Sequence, residues 1–340
     1  MDNNRSPLNR GLGLLRVRQA RRSTGPGGGA SVSTHISPSE RLPTHEPLLP
    51  VHPIHQRSLA VDPQAASPLY NGRIPPEIRN ALFEWILAEY TKTDVASAYT
   101  QSNRRPGYTG ARAINVAFLL ACRRIYLEVY HLTAASKEHV FWHARAPVPK
   151  YPALNGIGYE RWYFARFQPW QISFVKEIHL FTQMYWLEGS FPELCRSGIL
   201  PRGVERLRIT LRARDWWYNE NNYPFYILPY KAGGALPGML AEIAREERGE
   251  AVPWDKSGWG SAFKNLQALK TLEMEFETTM NRKGEMTKIV NRALTWRFPM
   301  GERGVLSNQG LGAEFAQWQG DKDSFCVFTV KWKLVGKNVN

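Results

Sequence analysis

The chain is short of cysteine, with three in 340 residues: Cys122, Cys195 and Cys326. Three widely spaced thiols exclude a disulfide scaffold and fit a reducing compartment. Long apolar runs are missing as well. No uncharged apolar stretch approaches the roughly 18 residues of a membrane span, and the first residues lack the apolar segment of a secretory signal. The expectation is an intracellular protein of the cytoplasm or nucleus, with no membrane span. Catalytic patterns are also absent. There is no phosphate-cradling G-x-x-x-x-G-K-[ST] and no G-x-S-x-G elbow. His139 and His143 stand four apart, the spacing of one helical face, yet no glutamate lies between them as in a zinc protease. No catalytic residue, metal or cofactor is therefore assigned, and the chain reads as non-enzymatic.

Aromatic residues are nearly absent from the N-terminal fifth. Of 12 Trp, 14 Tyr and 15 Phe, only Tyr70 lies in the first 70 positions. Those positions hold nine Pro, six Gly and eight Ser instead. Such a stretch cannot bury enough apolar surface to offset chain entropy, so 1–70 is predicted to be a disordered tail. Its densest basic run is Arg5, Arg10, Arg16, Arg18, Arg21 and Arg22. That run reads as a solvated tail, with a nuclear import signal and a mitochondrial transit peptide as alternatives. Gly27-Gly28-Gly29 has no strand before it and reads as linker.

Acidic residues are outnumbered, 30 against 44 basic, for a formal net charge of +14. The excess is spread along the chain. It leaves nucleic-acid binding through basic and aromatic surface as an alternative function.

Beyond the tail, two folded segments are expected: a helical unit over 71–150 and an α/β body over 151–340. Pro76 suits the first turn of a helix. Ile78, Leu82 and Trp85/Ile86 recur at helical spacing as far as about Tyr90. A polar loop over 91–112 precedes a second helix to about Ala135, striped by Ile114, Phe118, Cys122, Ile125 and Val129.

Ile74-Pro75-Pro76-Glu77-Ile78-Arg79 resembles the opening of an F-box. Leu119-Leu120-Ala121-Cys122-Arg123-Arg124-Ile125-Tyr126-Leu127-Glu128 resembles the second signature of a group of fungal F-box-like proteins of unknown function. Ala293-Leu294-Thr295-Trp296-Arg297-Phe298-Pro299 resembles a third segment of that group. Ile stands at 74 where the usual text has Leu, and the 91–112 loop makes the unit longer than a compact F-box. The resemblance implies docking to the adaptor of a cullin-type ubiquitin ligase through Ile74, Pro75, Glu77, Ile78 and Leu82. The opposing reading places Ile78, Leu82 and Ile125 in the protein's own core.

In the body, strand-like runs at Ile178-His179-Leu180, 204–211 and 266–276 approximate leucine-rich-repeat text. Their irregular spacing favours degenerate repeats or a single mixed sheet, and strands alternating with helices favour an α/β layout in which the sheet is mostly parallel. Helices are expected at 236–248, 259–269 and 285–294, and a last strand at 325–335. By strand alternation Arg206, Arg208, Arg212 and Arg214 oppose Leu207, Ile209 and Leu211, while Glu273, Glu275 and Glu277 oppose Leu272, Met274 and Phe276. The arginines are either a site for an acidic target or the partners of the glutamates on a neighbouring strand. Trp216, Trp217 and Tyr218 open a ring-rich stretch that reads either as target surface or as core cover.

Overall fold

Proline spacing, period-two stripes and buried rings set most of the elements. The computed structural model describes residues 61–100, 103–143, 146–147, 157–218, 221–231, 236–250 and 257–336. Residues 1–60 of the expected 1–70 tail, with its basic run and its glycines, lie outside these. Residues 61–70 of it are described. Leu69 and Tyr70 pack on the helical cluster, and the Tyr70 hydroxyl donates to Glu128 at 2.9 Å.

Helix α1 spans Pro76–Ile86 and stops short of Tyr90. Pro75 and Pro76 at its N-terminus need no intrahelical N–H partner, which is where a helix tolerates proline. Strands β1 (Tyr90–Thr91) and β2 (Arg112–Ala113) pair to close the intervening loop. The expected long helix over 114–135 is three short pieces: a 3₁₀ turn Val116–Leu120, α2 (Arg123–Val129) and α3 (Leu132–Ala135). The break falls at Cys122, whose backbone is extended and whose Sγ accepts the Ile125 N–H at 3.4 Å, so it caps α2 instead of continuing a helix.

Strand β3 (Glu138–Trp142) follows, then α4 (Gly158–Phe164), α5 (Pro169–Ser173) and β4 (Glu177–Phe181). Helix α6 (Met184–Arg196) leads to β5 (Arg206–Leu211), and α7 (Leu236–Glu247) precedes β6 (Thr271–Thr279). Residues 259–269, expected as a helix, form a 3₁₀ turn only over Trp259–Asn265. Leu266 and Leu269 beyond it are buried in the core, and the strand starts at 271, not 266. Helix α8 (Lys283–Thr295) is followed by β7 (Arg297–Pro299), β8 (Val305–Ser307), β9 (Ala313–Gln319) and β10 (Ser324–Val335).

Strands β3 to β10 form one eight-stranded sheet with the path β3-β4-β5-β6-β10-β8-β7, and β9 beside β10. The first four are parallel and in chain order, and the rest are antiparallel. The sheet is therefore mixed, and its first strand comes from the segment before 150. One face buries Leu207, Ile209, Leu272, Met274, Phe276, Cys326, Val330 and Trp332 in a continuous core with α6 and α8. Period two delivers this in β10, where Cys326, Val330 and Trp332 are fully buried. Among the described residues no helix is long and apolar enough to cross a membrane.

The turn between β7 and β8 depends on Gly304. Its φ is +112°, and a Cβ there would sit 2.0 Å from the Val335 carbonyl oxygen. Gly304→Ala therefore combines backbone strain with a clash against main chain. It should cost about 2 kcal/mol in a denaturant titration. An unchanged midpoint would show that the edge of the sheet adjusts freely.

Candidate functional site

The opening motif and the second signature meet in space. Arg79 on α1 pairs with Glu128 on α2 at 2.8 Å, lies 5.0 Å over the Tyr70 ring and donates to the Leu69 carbonyl. Arg124 lies over the other side of this corner, 3.9 Å from the Tyr70 ring centre. Burial first, and then the hydrogen bond to Glu128, push the Tyr70 phenol up. Arg79, Cys122 and Glu128 thus fix α1 against α2. Phe83 and Leu87 complete the anchor with Ile125 and Val129.

The remaining motif residues face outward. Ile78 is 55% exposed, Leu82 37% and Trp85 79%. At 100° per residue positions 78, 82 and 85 fall on one stripe, turned away from Phe83 and Leu87. Glu77 and Pro75 are exposed at the same end, and Ile74 is half-buried. The 3₁₀ turn that meets Phe83 through Phe118, ring centres 5.5 Å apart, also exposes Val116 and Leu120. The core reading therefore holds for Ile125 but not for Ile78 and Leu82. A small helical unit spends three large apolar side chains on water, a pattern that marks contact surfaces.

The two charge stripes are neighbours on the polar face of the sheet. Strand β5 pairs with β6 in parallel, with Arg208 opposite Glu273 and Thr210 opposite Glu275. Arg208 lies 3.1 Å from Glu273, 3.4 Å from Glu138 and 4.0 Å from Glu275. Arg206 pairs with Glu177 at 2.9 Å. Arg212 is buried against Asp215 at 2.5 Å, and Arg214 donates to Asn103. Trp216 is buried, its indole N–H donating to the Glu277 carbonyl at 3.0 Å. Arg212 and Trp216 are therefore not available to a target. Trp217 is half-buried, donating to Glu188, and Tyr218 is exposed. Most of the ring-rich stretch completes the core, with Phe225, Tyr226, Ile227, Leu228 and Tyr230 all buried.

What the sequence did not disclose is how residues 103–112 cover this face. Arg105 reaches Glu275 at 2.8 Å, and Tyr108 packs edge-on to Trp142 and Phe181, which stack at 3.7 Å. The Tyr108 hydroxyl lies 2.5 Å from Glu138 and 2.6 Å from His179 Nδ1. His179 Nε2 continues to Thr210 at 2.7 Å, and Thr210 donates to Glu275 at 2.6 Å. Burial alone would raise Glu138. The hydrogen bonds of His179 and Tyr108 and the charge of Arg208 outweigh it and hold the carboxyl well below the usual range. Burial lowers His179, keeping the ring neutral near pH 7. Each titratable group in this chain is hydrogen-bonded within it, and it joins the covering segment to the sheet. A buried network of this kind fixes register at a desolvation cost.

His139 lies on β3 and His143 just after its end, neither on a helix. His139 contacts the Tyr163 hydroxyl at 3.0 Å, and His143 pairs with the buried Glu160 at 2.8 Å. Among the described residues no group of three or more His, Cys, Asp or Glu is placed to hold a metal ion. No protein-family model, curated protein or solved structure matches the chain.

Proposed function

We propose that the chain is a non-catalytic interaction protein in which an F-box-like helical unit docks the adaptor of a cullin-type ubiquitin ligase and the α/β body holds a target. One observation carries the reading: the Ile78–Leu82–Trp85 stripe of α1 faces solvent while Arg79, Phe83 and Leu87 anchor the helix from its other side. A helix that served only its own core would bury its longest apolar stripe. The sequence resemblance names the partner class, and the stripe supplies a surface for it. The parallel strands β3 to β6 in chain order are what degenerate leucine-rich repeats require of the body.

The +14 net charge gives the nucleic-acid alternative little help on the sheet. Arg206 and Arg208 are matched by glutamates on adjoining strands. Affinity purification of the full chain from its native cell should bring down the ligase adaptor and cullin together, in amounts comparable to the bait. Recovery of the chain without either one contradicts the reading.

A further inference from the structure

The carboxyl ends of parallel strands are where open α/β sheets place their ligands, because the crevice there is walled by the loops that follow. In this sheet that crevice is a cavity of about 430 Å³ beyond the ends of β5 and β6. The segment 103–105 and the turn joining β9 to β10 close its sides. It is within the size range of small-molecule sites.

Its floor holds two buried groups with hydrogen-bonding capacity to spare. Arg105 is 6% exposed, and its Nε and Nη1 have no hydrogen-bond acceptor. Glu277 is 7% exposed, and its Oε2 has no donor. The two approach to 3.5 Å, inside ion-pair range but without hydrogen-bond geometry. Leaving such groups unmatched is costly, and the cost falls away when a ligand supplies the partner. Burial raises Glu277, against the charge of Arg105 beside it. The unmatched N–H groups of Arg105 ask for an acceptor-rich group.

The walls add a ring surface and a rim of charged groups. Trp318 and Phe325 stack with centres 5.8 Å apart and planes at 20°. At the rim Arg104 and Lys322 form no ion pair among the described residues, and Arg214 stands beside them against Asp321 and Asp323. The two floor arginines are matched from outside the cavity, Arg105 by Glu275 and Arg212 by Asp215. With Glu277 counted, these charges balance, so an anion is drawn by the unmatched N–H groups of Arg105 and not by a net charge of the lining.

We infer that this cavity binds a carboxylate joined to a planar ring, the carboxylate on the unmatched N–H groups of Arg105 and the ring on the Trp318–Phe325 pair. Two sources carry that chemistry: a free aryl acid, or the C-terminal aromatic residue of a peptide. The site is independent of α1 and of any adaptor.

Calorimetric titration of the full chain tests it with 2-naphthoate and its carboxamide, and with Gly-Gly-Phe and its C-terminal amide. At least one acid is expected to bind saturably with Kd on the order of 0.1–1 mM, as suits so small a ligand. The tighter acid identifies the source. The matching amide should bind at least about tenfold more weakly, through loss of the charge-assisted bond to Arg105. Trp318→Leu should weaken the acid by about tenfold or more, through loss of the stacked face. Trp318 is half-buried on β9, and a circular dichroism melt will show whether that variant folds. If it does not, Glu277→Gln, close in shape, replaces it and should tighten the acid severalfold, because it removes a carboxylate that competes for Arg105. The inference is overturned by no saturable binding of either acid up to about 5 mM. It is equally overturned by amides that bind as well as acids, or by a folded variant with unchanged affinity.

Discussion

Ile78→Asp is expected to abolish capture of the ligase adaptor and to leave the melting temperature within a degree or two of the parent. The side chain is 55% exposed and belongs to no buried cluster, so little folded-state packing is lost. Exposed substitutions of this kind usually stay within about 0.5 kcal/mol. At an interface the same change puts a charge into an apolar contact. Central contacts of that type are worth about 2 kcal/mol or more, roughly thirtyfold in affinity. Leu82→Asp and Trp85→Ala should act in the same direction, because positions 78, 82 and 85 share one stripe. Phe83→Asp is the contrasting variant. Phe83 is 1% exposed and packs with Leu87, Ile125 and Val129, so a buried charge there should unfold the helical unit. Adaptor binding and thermal melts of the four variants separate the two faces of α1. Equal loss of stability for Ile78→Asp and Phe83→Asp would show that the stripe serves the core.

Stability should depend on pH in two opposed ways that single substitutions separate. His139 is fully buried on β3, and burial, assisted by the charge of Lys137, lowers it from 6.5 to about 4. A histidine held neutral in the folded state stabilises above its unfolded pKa. That contribution is lost as pH falls from about 6.5 toward 4. In full the shift corresponds to about 3 kcal/mol. Glu188 on α6 runs the other way. Burial raises it from 4.5 to about 7, against the hydrogen bond donated by Trp217. A carboxyl held protonated in the folded state stabilises below its unfolded pKa, and the contribution is lost as pH rises from 4.5 to about 7. In the parent the two offset each other between pH 4.5 and 6.5. His139→Gln should gain on the parent by about 2 kcal/mol between pH 8 and pH 5. Glu188→Gln should gain on it in the opposite sense, from pH 5 to pH 8. Urea titrations at both pH values give the two differences. Parallel pH profiles for parent and variants would mean that neither group is held as the burial requires.

How much of this was legible in the chain itself depended on whether the signal was local. The period-two run from 324 to 335 announced β10, and the 3.6 period announced α7 and α8, because each pattern is complete within one element. The Arg/Glu stripes also named their own answer, since opposite stripes on two strands suit a neighbouring pair. Local text failed where tertiary contacts chose the outcome. The stripe 114–129 had helical spacing throughout, yet the Cys122 cap divides it. Ile78 read either as core or as contact surface and Phe83 was not marked at all, and only packing against Ile125 and Val129 shows Phe83 to be the buried one. The network of Tyr108, Glu138, His179 and Glu275 joins residues up to 167 positions apart, drawn from four separate segments. No periodicity links such residues. The cavity beyond β5 and β6 was half visible, through Arg212 and Arg214, but its ring wall comes from β9, a strand the sequence had not marked.

The measurement that bears most directly on the central claim is a binding isotherm between the full chain and the purified adaptor of the cullin-type ligase. The account predicts saturable binding at one adaptor per chain, lost in Ile78→Asp and retained in Trp318→Leu. No saturable binding by the intact, folded chain, or binding indifferent to Ile78→Asp, would contradict it.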